Sequence, residues 1–111
     1  MQTISRDNLK EKIDRGDDFV LVEVLDHDSY ADAHLPQAIN IPIHDKAFGA
    51  DIQNRFPDKS REVVVYCANT DCDASPRAAE QMERLGYEGV IDYPEGKQGW
   101  RDAGLPIETG G

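Results

Sequence analysis

The sequence predicts an α/β domain, a mostly parallel central sheet flanked by helices. Two observations predict it. Continuous apolar runs at residues 18–25 (DFVLVEVL) and 61–66 (REVVVY) read as strands buried on both faces, the mark of parallel sheets. Helical patterns alternate with these runs, which implies right-handed crossovers. At 111 residues the chain has the usual size of one compact unit, so 1–111 is expected to be a single domain.

Each element has its own local signal. SRDNLKEKIDRG opens on Ser5 as an N-cap and closes on Gly16, with Leu9 and Ile13 on one face. DFVLVEVL follows as a strand. DSYADAHL reads as a short helix or turn with Asp28 as its cap, and AINIP as a second strand stopped by Pro42. Ala47, Phe48, Ile52 and Phe56 recur at near-helical spacing and predict a loose helix. REVVVY is the third strand. SPRAAEQMERLGY is the clearest helix, with Ser75 as cap, Pro76 in the first turn, and Ala78, Ala79, Met82 and Leu85 on one face before Gly86. GVIDY is the fourth strand, and Trp100 lies in a last short helix.

Charge narrows the function. The chain has 22 acids against 12 bases, a net charge of -10. That balance opposes binding to nucleic acid or anionic membranes, which select Lys and Arg. No apolar run reaches the roughly 18 residues of a membrane span, and the polar N-terminus has no signal core. The expected location is the cytoplasm. There a close cysteine pair is more often catalytic, redox-active or metal-binding than structural. A zinc site lacks a second cysteine pair or a nearby histidine, and no metal or cofactor is expected.

Both cysteines, Cys67 and Cys72, fall between the third strand and the clearest helix. Ligands of open α/β sheets bind at the carboxyl ends of strands. A loop formed by Ala68, Asn69, Thr70, Asp71, Cys72, Asp73 and Ala74 up to Ser75 would aim backbone N–H groups at the Cys67 sulfur. Such a nest favours a thiolate, and so a nucleophile. The bland alternative is a small side chain that fills space.

Three segments together resemble the rhodanese-like (sulfurtransferase) family: LVEVLDHDSYADAHLPQAINIP, VVVYCANTDCDASPRAA and YPEGKQGWRDAGLP. The resemblance covers nearly the whole chain. It implies a rhodanese-like three-layer sandwich in which Cys67 takes sulfane sulfur from a donor, holds it as a persulfide and passes it to a thiol or other acceptor. Expected partners are therefore a small sulfur donor or a persulfide-carrying protein, and a thiol acceptor. Most single-domain relatives imply a monomer.

The sequence departs from that family in specific places. Glu23 and Leu25 stand where an Asp and an Arg are usual, which removes an expected structural ion pair. Ala33 and Gln37 stand where Gly is usual. The loop is longer by two residues, contains Asp71 and Asp73, and has no base before Arg77. Two carboxylates would raise the thiol's pKa and repel a dianion. A persulfide or polysulfide is therefore expected to serve better than thiosulfate. Arg77 is a candidate anion contact, against the plainer reading of a solvated helix residue. Lys97 and Arg101 flank Trp100 near the expected site mouth. Cys72 is a candidate resolving or relay thiol, against a side chain that shapes the loop. His34 is expected to make structural hydrogen bonds, and Tyr66 and Tyr93 to pack.

Three rival functions compete with sulfur transfer. Phosphatase or arsenate reductase chemistry wants an Arg six residues after the cysteine, where this chain has Asp73. A non-catalytic binding or regulatory module is the second. A Cys67/Cys72 dithiol redox switch is the third.

Overall fold

The computed structural model describes residues 1–111. Its elements run β1 (Gln2–Thr3), α1 (Arg6–Asp14), β2 (Val20–Glu23), α2 (His27–Asp32), β3 (Ile39–Asn40), α3 (Phe48–Arg55), β4 (Glu62–Tyr66), α4 (Ala74–Arg84), β5 (Gly89–Tyr93) and α5 (Gly96–Asp102). The five strands form one sheet in the order β1-β5-β4-β2-β3, and all four pairings are parallel.

The pleat explains why the strands read as unbroken apolar runs. Alternate residues face opposite ways. Leu21, Val64, Tyr66 and Tyr93 point to one face and pack with Leu9 and Trp100, from α1 and α5. Val22, Val63, Val65, Cys67 and Val90 point to the other, against Phe48 and Ile52 of α3 and Ala78, Ala79 and Met82 of α4. Both faces are thus covered, as a central parallel sheet requires. Each fully buried Leu or Val contributes roughly 1.5–3 kcal/mol of burial free energy.

Most ends of elements follow their signals. Ser5 caps α1, its hydroxyl accepting from the Asn8 amide at 3.2 Å, and Gly16 leaves α1 at φ +70°. Three expectations are corrected. The cap of α2 is Asp26, whose carboxylate accepts from the Ser29 amide at 2.8 Å, and Asp28 lies inside the first turn. Ser75 does not cap α4, because that helix starts at Ala74 and Ser75 is already helical and 1% exposed. The sheet also has a fifth strand, β1, a two-residue polar edge strand with no periodic signal to betray it.

Gln37 answers one of the departures. It has φ +63°, the left-handed region. The backbone there keeps a glycine-type conformation although the residue is not glycine, at a cost of about 1 kcal/mol. Ala33 is extended at φ -165° and needs no glycine.

Candidate active site

The site is assembled at the carboxyl end of the central strand. β4 delivers Cys67 on the face that α4 covers, one step beyond Tyr66, which points the other way. The loop after it is ordered by Asn69: its side-chain oxygen accepts from the Asp71 amide at 3.0 Å, and its carbonyl accepts from the Cys72 amide at 3.1 Å. This turn brings α4 in so that Ser75 lands on Cys67. Sγ lies 3.4 Å from Ser75 Oγ and 3.5 Å from the Cys72 carbonyl oxygen.

Cys67 is 2% exposed, and a sealed sulfur sits poorly with the thiolate expected from the sequence. A thiol has one proton, and here it faces two oxygens, one of them a carbonyl that can only accept. The arrangement therefore suits the thiol. Burial pushes the Cys67 pKa up to about 11, the neighbouring Cys72 adds to the rise, and Ser75 opposes it. Asp71 and Asp73 are not the leading causes, because both turn to solvent. Asp73 instead lies 3.8 Å from Arg77, whose side chain is 59% exposed on the outer surface of α4. The candidate anion contact is thus exposed and set beside an acid. Thr70 is exposed, Ala68 half-buried, Ala74 buried and Cys72 half-buried against the α4-side core.

The second half of the site comes from α5. Its first amides bond to the active-site strand: Lys97 N–H to the Cys67 carbonyl at 3.0 Å and Gln98 N–H to the Ala68 carbonyl at 2.8 Å. Gly96 makes this approach possible. It has φ +65°, and a Cβ there would lie 2.7 Å from the Cys67 carbonyl oxygen.

A cavity of about 180 Å³ opens beside the loop, lined among others by Leu25, Asp32, Ala68, Asn69, Lys97 and Arg101. It reaches the two residues after Cys67 but not the sulfur itself. Lys97 and Arg101 both line this cavity, but Lys97 is already engaged. Its ammonium bonds Glu23 Oε2 at 3.1 Å and the Ser29 carbonyl at 2.9 Å. Glu23, fully buried, also accepts from Tyr66 O–H at 2.8 Å. Burial raises the Glu23 pKa, while Tyr66, Lys97 and His34 hold it down. Burial and the Glu23 carboxyl together push the Tyr66 hydroxyl well above the ordinary phenol value.

This network corrects the loss expected at position 25. The cation that Leu25 no longer supplies comes from Lys97, far along the chain, so the ion pair to Glu23 is replaced rather than absent. His34 is structural as expected, its ring stacked on Tyr30 at 3.8 Å and its Nδ1 2.7 Å from the Tyr30 carbonyl. One residue escaped the sequence reading. Asp92 on β5 is 2% exposed, on the same face as Cys67, and its Oδ1 has no hydrogen-bond partner. Its only local signal is an acid within the apolar strand GVIDY.

Comparison with known proteins agrees with this geometry. The family model described as Rhodanese-like domain matches residues 5–103. An HTH-type transcriptional regulator of Mycobacterium tuberculosis is 34% identical over 109 residues, covering 96% of this chain but 45% of the regulator. A thiosulfate:glutathione sulfurtransferase of Saccharomyces cerevisiae is 28% identical, covering 90% of this chain and 78% of the relative. A crystal structure of a protein from Anabaena sp. superposes with a TM-score of 0.86 at 25% identity, covering 96% of this chain and 92% of that one. With the strand order, the cysteine after β4 and the family match over most of its length in agreement, the chain belongs to the rhodanese-like family.

Proposed function

We propose that the chain is a sulfurtransferase that carries sulfane sulfur as a persulfide on Cys67. The observation that carries this is the position of Cys67 in a rhodanese-like domain: on the carboxyl end of the central strand, beside the Ser75 hydroxyl and at the start of the loop into α4. Cys67 attacks the outer sulfur of the donor, and the donor's S–S bond breaks with its electrons leaving on the inner sulfur. An acceptor thiol then takes the outer sulfur and releases Cys67. The sealed thiol is the resting form, so a donor reaches the sulfur only when the loop yields.

Donor choice follows from charge. The cavity beside the loop sets Lys97 and Arg101 against Asp32, and Lys97 is further offset by Glu23. Little cationic surplus is left for a dianion, and the molecule as a whole carries -10. The reading therefore favours an alkyl persulfide or polysulfide over thiosulfate, although the yeast relative is named for thiosulfate.

Intact-mass measurement after incubation with each donor tests this. The expected result is a gain of one sulfur, lost in Cys67→Ala, with faster loading from the persulfide. Faster loading from thiosulfate at low salt overturns the donor assignment, and no gain from any donor overturns the transfer reading. In that last case a regulatory module is favoured. Its specific support is the buried, proton-holding Cys67 together with the mycobacterial regulator among the relatives.

A further inference from the structure

A second cavity, of about 260 Å³, shares Asn69 and Gln98 with the first and is otherwise lined by Arg6, Thr70, Glu95, Gly99 and Asp102. Asn69 and Thr70 are the second and third residues after Cys67, so this cavity too adjoins the loop that must yield. The two cavities differ in charge. The first sets Lys97 and Arg101 against Asp32, whereas the second sets Arg6 against Glu95 and Asp102. Arg6 is moreover already held by acids, its guanidinium lying 3.4 Å from Asp7 Oδ1 and 3.7 Å from Glu95 Oε2. The second cavity therefore leans anionic.

An acidic rim alone does not make a site, but the floor of this cavity is unusual. Gly99 lies inside α5 without a left-handed backbone, so no turn requires a glycine there. What the missing side chain leaves is space. A Cβ on Gly99 would lie 2.7 Å from Glu95 Cβ, and 3.5 Å from both Glu95 Oε2 and Tyr93 Oη. A carboxylate oxygen and a phenol oxygen thus flank the bare backbone of a cavity-lining residue. Tyr93 is fully buried, its ring edge-on to Trp100, and its hydroxyl has no hydrogen-bond partner within the protein. A buried hydroxyl left unbonded is costly. Burial, with Glu95 adding to it, pushes the Tyr93 hydroxyl well above the ordinary phenol value. It stays neutral, and its oxygen can accept a hydrogen bond.

We propose, resting on the sulfur-transfer reading, that this cavity seats the sulfur acceptor, and that the acceptor is a small aminothiol whose primary ammonium enters over Gly99 and donates to Tyr93 Oη and Glu95 Oε2. An ammonium carries several donors and suits a hydroxyl and a carboxylate together, with Asp102 adding favourable charge. The size of the cavity fits a small molecule. Asn69 and Gln98 then separate a more cationic side, for the anionic sulfur donor, from a more anionic side, for the acceptor. With its ammonium anchored at α5, the acceptor's sulfur reaches across Asn69 to the Cys67 persulfide when the loop yields. The acceptor thiolate attacks the outer sulfur. A new S–S bond forms, and the bond to Cys67 breaks with its electrons on Sγ, which takes up the proton the acceptor thiol released. The ammonium is not consumed.

The test charges the full chain with sulfur from inorganic polysulfide. Discharge to cysteamine, which carries a primary ammonium, and to β-mercaptoethanol, a neutral thiol of the same length, is then timed by intact mass. The ratio of the two second-order rates is read within each protein, so differences in loading cancel. Tyr93→Phe is expected to lower that ratio about tenfold, chiefly through the KM for cysteamine, and Glu95→Gln to lower it by a similar factor. Phe keeps the ring against Trp100, and Gln keeps an oxygen for the Arg6 amide, so both variants spare the fold. Equal ratios in the parent and both variants overturn the acceptor site and leave sulfur transfer intact. Binding of ethanolamine, which cannot accept sulfur, is followed on the sulfur-free protein by the amide NMR shift of Gly99. If no donor ever loads the parent, the transfer reading fails and the ammonium site is judged on this titration. A saturable shift that needs about tenfold more amine in Tyr93→Phe supports the site, and no saturable shift in the parent overturns it.

Discussion

Cys67 holds its proton because the fold hides it, and that has a thermodynamic signature. In the unfolded chain an ordinary cysteine ionises near about 8.5, and in the fold the value is pushed up to about 11. Between those values the unfolded chain has lost a proton that the native chain keeps. The native state then binds more protons, so stability falls as pH rises through this window. Below it the contribution is fully present. Urea unfolding across that range should show the stability advantage of the parent over Cys67→Ser shrinking with rising pH, by about 3 kcal/mol when titration is complete. A constant difference would mean that the thiol ionises freely in the native state. At this scale the sequence told less than it first offered. The place of Cys67, between the end of a strand and the loop into a helix, was legible from the order of those elements. Its burial was not, because burial depends on Ser75 turning inward from α4 rather than capping it. Asp26 and Asp28 illustrate a different ambiguity: two aspartates two residues apart offer equal caps, and only the start of α2 chooses between them.

The elements were more legible than their contacts. Three of the strands and the helices α1 and α4 announce themselves through apolar runs, caps and glycine stops, whereas β1 does not, being polar, short and at an edge. Nor does the docking of α5 onto the end of β4, since no local pattern tells that residues 96–98 meet residues 67 and 68. Lys97 and Glu23 pose the same problem, being 74 residues apart in sequence. The α5 contact is also the most brittle. Alanine at Gly96 would need a left-handed backbone and would collide with the Cys67 and Ala68 backbone at under 3.0 Å. Gly96→Ala is expected to lower stability by roughly 2 kcal/mol or more, read by thermal unfolding, and to slow sulfur loading by displacing the strand end. A variant that keeps the parent melting temperature would show that α5 shifts without cost.

For the whole molecule, charge is the governing quantity. A net charge of -10 sets a repulsive field around any anionic donor, and salt weakens that field. The second-order rate of loading from thiosulfate should therefore rise with ionic strength, while loading from an uncharged organic trisulfide should stay flat. Stopped-flow or quenched loading at graded salt concentrations checks this. A thiosulfate rate that falls with salt would reveal a local cationic funnel at Lys97 and Arg101 that outweighs the global field. The chain spans 45% of the mycobacterial regulator and 49% of a Bacillus subtilis relative named as a putative sulfur carrier protein. The same unit thus occurs beside other segments in longer relatives.

The carbonyls of Cys67 and Ala68 are both pinned by amides of α5. Two hydrogen bonds from a segment thirty residues away hold that stretch of backbone stationary, like the fixed jaw of a vice. Any rearrangement that uncovers the sulfur must then pivot beyond it, on Asn69 and the residues leading into α4. The moving jaw would carry Cys72 with it, withdrawing the carbonyl that covers the thiol and clearing the way for an incoming sulfur.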